Sequence, residues 1–198
     1  MLKIFEEGRG LTVWMMNRRS ILAALALTAA TTQVAAKDAD KNHVSKVFRD
    51  GEYTPHVYLE SDIVRRYGEG EGVVDDAGLM RRRYWDPSTK LEVVITSNPD
   101  IGPKYRTIDE IRVSPIFTGK QALGTTESLK GLSLQGIVIG DTALGAERVT
   151  RRYGQAFRSA ERLGQSDVER FCGYRDGSSI CFDVSGGTVI AMAVGAGP

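Results

Sequence analysis

Two cysteines and two histidines in 198 residues leave little material for thiol or imidazole chemistry. His43 and His56 stand far from Cys172 and Cys181 in the chain, and no C-x-x-C or paired-histidine spacing suited to a metal occurs. A charge excess is missing too: 26 Lys and Arg face 25 Asp and Glu, so no bulk electrostatic pull toward nucleic acid is expected. No apolar run reaches the roughly 20 residues of a membrane-spanning helix. Carboxylates do occur in pairs, at Asp75-Asp76 and Asp109-Glu110, but neighbouring residues on a strand point to opposite faces. Glycoside hydrolysis needs carboxyls that converge to about 5–9.5 Å. The acids of Gly68-Glu69-Gly70-Glu71-Gly72 would repel a phosphate, which makes that stretch a flexible connector rather than a nucleotide loop. The expectation is a protein with no catalytic residues, no metal site and no cofactor.

What is present begins with an export signal. Met16-Asn17-Arg18-Arg19-Ser20 is a positive leader, Ile21 to Ala30 is a short apolar run, and Val34-Ala35-Ala36 supplies small residues before a cleavage point. Asn17-Arg18-Arg19-Ser20-Ile21-Leu22 also resembles a twin-arginine signal. Adjacent arginines are common in ordinary leaders, so the general secretory route is the expected one. No Cys follows the apolar run to take a lipid anchor. Residues 1–15, with Glu6 and Glu7, fit poorly in front of such a leader and point to Met16 or Met15 as the true start. Removing residues 1–36 takes away Lys3, Arg9, Arg18, Arg19, Glu6 and Glu7 and turns the formal charge from +1 to −1. The mature chain is expected in the periplasm or secreted, with no integral membrane segment.

The remainder reads as two diverged copies of one unit, at residues 45–116 and 134–196, joined by a Gly/Thr/Ser-rich linker at 117–133. Arg65-Arg66-Tyr67-Gly68 recurs as Arg151-Arg152-Tyr153-Gly154. Tyr84-Trp85-Asp86-Pro87-Ser88 meets Tyr174-Arg175-Asp176-Gly177-Ser178, and Thr107 to Val113 meets Thr188 to Val194. Each copy opens with a helix. In the second, Asp141 or Thr142 offers an N-cap, Ala146, Val149 and Tyr153 share a face, and Gly154 supplies a left-handed stop. In the first, Ser61 is the cap, Ile63 and Tyr67 face the core, and Gly68 is the stop. Three strands follow in each. Asp176-Gly177 is a two-residue hairpin turn, which sets Cys172 opposite Cys181, Phe171 opposite Phe182 and Arg170 opposite Asp183. Counting from that turn makes the cysteines a non-hydrogen-bonded pair about 4.5 Å apart at Cα, within reach of a disulfide. The expected fold class is α+β, as two tandem units, each a helix packed on a three- or four-stranded antiparallel sheet.

Leu134-Gln135-Gly136-Ile137-Val138-Ile139-Gly140-Asp141, followed by the helix, Tyr153-Gly154 and the strands to Val194, resembles the small outer-membrane lipoproteins of the SmpA/BamE family and the β-lactamase inhibitor protein. Val57 to Val113 matches more loosely. The resemblance implies a helical segment on a three- or four-stranded antiparallel sheet, which the inhibitor carries in tandem. This chain departs from both patterns: it lacks a lipid-anchoring Cys, and the inhibitor's second disulfide has no counterpart.

Among exposed candidates, Arg65, Arg66, Arg151 and Arg152 read as solvated helix faces. Arg81-Arg82-Arg83 cannot form one patch, because alternation sends Arg82 to one face and its neighbours to the other. Tyr84, Trp85, Tyr174 and Arg82 remain the candidate interaction residues, since aromatics and Arg dominate binding hot spots. The reading is an exported, non-enzymatic protein that binds an envelope protein through its sheet surface. The alternative is a hydrolase or ligand-binding protein acting on cell-wall material.

Overall fold

The computed structural model describes residues 44–52, 59–116 and 119–197; the stretch read as an export signal, His43 and His56 lie outside them. Three helices are described: α1 (Val44–Asp50), α2 (Glu60–Tyr67) and α3 (Ala143–Tyr153). The strands are β1 (Glu71–Val74), β2 (Met80–Asp86), β3 (Leu91–Ser97), β4 (Ile108–Pro115), β5 (Gly124–Thr125), β6 (Gln155–Leu163), β7 (Ser166–Arg175), β8 (Ser178–Ser185) and β9 (Thr188–Ala196).

These strands form one sheet in the order β1-β2-β3-β4-β9-β8-β7-β6, with the two-residue β5 parallel to β2. The expected two tandem helix-on-sheet units are therefore corrected to a single, mostly antiparallel nine-stranded sheet with three short helices. The joint is the β4–β9 pair, where Ile111 faces Val194 and Val113 faces Met192. As edges of separate sheets, β4 and β9 would each present a row of unpaired N–H and C=O groups. Pairing them satisfies both rows and merges the apolar faces: Val93, Ile95, Ile111 and Val113 share one buried cluster with Phe171, Ile180, Phe182 and Val194.

The β7–β8 hairpin follows the local chemistry. Asp176 and Gly177 both take positive φ (51° and 76°), and Phe171–Phe182, Cys172–Cys181 and Arg170–Asp183 stand opposite one another. Cys172 and Cys181 form the disulfide, with Cα atoms 4.1 Å apart. Among the described residues no helix is long and apolar enough to cross a membrane.

All three helices lie on one face of the sheet. Thr142 caps α3, its side chain accepting from Gly145 N–H at 3.3 Å. Ala146, Val149 and Tyr153 are the buried face of α3. Gly154 ends the helix in extended backbone (φ 172°) rather than the expected left-handed turn, and a Cβ there would overlap the Tyr174 carbonyl. At α2 the N-cap is Leu59, without a side-chain cap, instead of Ser61. The seven-residue α1 is too short to persist alone. It is held by Val44, Val47 and Phe48 in the core, each worth about 1.5–3 kcal/mol of burial. Glu127 accepts the Ser45 N–H at 2.9 Å and binds the Tyr67 hydroxyl. The 119–133 stretch is thus docked, not loose: β5 pairs with β2, and Leu129 is buried.

Candidate interaction site

Alternation along β2 divides the candidate residues between the two faces. Tyr84 points to the helix-bearing face and is fully buried, its hydroxyl donating to Gly68 O at 2.8 Å and its ring 5.7 Å from that of Tyr67. Burial pushes its hydroxyl up to about 12. Arg82, on the same face, forms an ion pair with Glu60 and donates to Glu69 O at 2.7 Å. Glu60 also receives Arg106 at 2.8 Å. Burial opposes charge on Glu60, but the hydrogen bonds from Arg82 and Arg106 outweigh it and hold the carboxyl below its usual range. Tyr84 and Arg82 are therefore structural supports of the helix layer and are not displayed to a partner.

Trp85 and Tyr174 are half-buried on the opposite, helix-free face. They do not meet. The row containing Trp85 runs to Glu92 and Ser114, while that of Tyr174 runs through Ser179, Gly195, Glu110 and Thr96 to Arg81. Trp85 has Lys90 4.9 Å above its ring. Tyr174 instead stands 6.4 Å from Phe157 of β6, which is 53% exposed.

Between these two ends lies a lattice of cross-strand ion pairs. Arg83 joins Glu71 (2.7 Å) and Glu92, and Arg81 joins Asp75 (2.7 Å) and Thr96 (2.5 Å). Arg170 pairs with Glu110 and stands 3.6 Å from Asp183, which is also 3.6 Å from Arg112. Burial raises the Asp183 carboxyl, with Arg170 and Arg112 opposing the rise in part. Glu110 moves the other way: burial disfavours its charge, but Arg170, Arg112 and Arg81 together prevail. Asp183 Oδ1 and Arg112 Nε have no hydrogen-bond partner. Chemically the lattice neutralises its own carboxylates with guanidiniums, which suits a rigid surface better than proton transfer. Among the described residues no group of three His, Cys, Asp or Glu side chains is placed to hold a metal ion.

The site these placements build is the β6–β7 end of the sheet. β6 is nine residues long and is paired on the β7 side only, among the described residues. It presents Phe157 beside Tyr174, and Arg158 with its guanidinium 4.5 Å from the Phe171 ring. The sequence reading missed Phe157. The available signal was Gln155 to Leu163 lying next to a strand already in register, one residue from the Gly154 stop.

No family model matches this chain, and no curated protein does. Among solved structures, a DUF4309 family protein (YjgB) from Bacillus subtilis aligns with a TM-score of 0.46 and 15% identity, over 78% of this chain and 94% of that one.

Proposed function

We propose that the chain is an exported, non-enzymatic protein that binds a protein partner through the β6–β7 end of its sheet. The carrying observation is the exposed Phe157 beside Tyr174 on a strand with one unpaired edge. An exposed Phe beside a half-buried Tyr supplies apolar area with few rotatable bonds, and a free strand edge supplies main-chain donors and acceptors. The disulfide fits an oxidising compartment, which agrees with the export signal. The ion-pair lattice lies beside the aromatic pair on the same helix-free face.

The test is affinity capture from detergent-solubilised envelope extract, with bound proteins identified by mass spectrometry. A saturable partner retained by wild type and by Trp85→Ala, but lost in a Phe157→Ala/Tyr174→Ala variant, is the expected result. No partner above background would overturn the proposal.

A further inference from the structure

The solvent side of α3 carries Arg148, Arg151 and Arg152, all exposed. Residues three and four apart on a helix are neighbours, so the three guanidiniums reach one region. A cleft of about 550 Å³ lies there, against the turn that Leu134 and Ile137 close with reciprocal hydrogen bonds. Its floor is Ile137 and Val149, Gln135 forms a wall, and the three arginines form the rim.

Only one of the three rim arginines is neutralised from within. Arg151 pairs with Glu147 at 2.8 Å, but Arg148 bonds only its own helix, to Leu144 O at 3.4 Å. Among the described residues neither Arg148 nor Arg152 has a carboxylate within 4 Å. An apolar floor under a positive rim is complemented by an apolar body flanked by carboxylates, which guanidinium forks bind in bidentate fashion. Ile137 and Val149 are 9% and 6% exposed, too recessed for a flat bilayer surface and reachable by one inserted side chain. Arg151 also lines a second cleft of about 350 Å³ with Ala156, Phe157 and Arg158 of β6.

We infer that this cleft takes an acidic segment of a protein partner, with an apolar side chain on Ile137 and Val149 and flanking carboxylates on Arg148, Arg151 and Arg152. The inference rests on the protein-binding role proposed above and names the chemistry of the partner.

The experiment titrates the purified exported protein into a fluorescent pentapeptide of four glutamates around a central leucine, read by polarisation at low salt. Saturable binding is expected, with none for the glutamine version of the peptide. An Arg148→Glu/Arg152→Glu variant should bind at least about tenfold more weakly, because charge-assisted contacts are replaced by repulsion. Both positions are exposed, and circular dichroism melting checks that the variant folds. Absent peptide binding, or equal binding by the variant, overturns the inference. So does binding of phosphatidylglycerol vesicles in place of the peptide, which would make the cleft a lipid site. Peptide binding without any envelope partner in the capture removes the protein-partner role and keeps the acidic chemistry of the cleft. Capture that is unaffected by the arginine variant leaves the partner and removes the cleft.

Discussion

The Asp86 carboxylate accepts the backbone N–H of Leu129 at 2.7 Å, tying the β2–β3 turn to a segment 43 residues later. The same carboxylate takes the Ser88 N–H at 2.8 Å and the Ser88 and Thr89 hydroxyls at 2.7 and 2.6 Å. One buried side chain thus closes a turn and docks the 119–133 stretch.

Burial alone would raise the Asp86 carboxyl, but hydrogen bonds from Thr89, Leu129 and Ser88 hold it at about 2. A folded-state value below the unfolded one means stability present above the unfolded value and lost on acidification. About 2 kcal/mol should disappear as pH falls from about 5 to 2. Urea unfolding of wild type and Asp86→Asn across this range should show the gap between them closing toward pH 2; parallel curves would refute the assignment.

Removing Glu60 should be severe, because it leaves Arg82 and Arg106 facing each other in a partly dry setting. Breaking a buried charged pair is worth about 3–5 kcal/mol. Glu60→Ala should lower stability by that order in chemical denaturation, and a change under about 1 kcal/mol would show that water already reaches the site.

The Cys172–Cys181 bridge closes a short loop, with a sequence separation of 9. The chain-entropy model gives about 2.5 kcal/mol for a loop of this size. Dithiothreitol should destabilise wild type by about that amount and leave a Cys172→Ala/Cys181→Ala variant unchanged. Equal sensitivity of both would contradict the bridge.

Gly173 lets α3 approach β7: a Cβ there would sit 2.5 Å from the Thr150 carbonyl oxygen. Gly173→Ala should destabilise by about 1–3 kcal/mol through forced separation of helix and strand. By contrast, Phe157→Ala, at an exposed position, should stay within about 0.5 kcal/mol of wild type. Thermal melts of the two variants make the comparison.

Helical spacing at Val44, Val47 and Phe48 was legible yet unread, because α1 is only seven residues long. The Glu60–Arg82–Arg106 cluster was not legible, since its members are far apart in the chain and each reads alone as a surface charge. Tyr84 and Tyr174 occupy similar sequence settings, but one is core and the other half-exposed. Their difference comes from which face the helices cover.

By itself the sequence determined the β7–β8 hairpin, its register and the cysteine pairing, because Asp176-Gly177 fixes a two-residue turn and strand alternation does the rest. It likewise determined the α3 face, from the spacing of Ala146, Val149 and Tyr153. Only the tertiary structure decided that β4 and β9 pair and merge the two halves. Each of these strands reads equally well as an edge or as an interior strand. The choice depends on main-chain groups and apolar faces finding partners about 80 residues away, which no local pattern encodes.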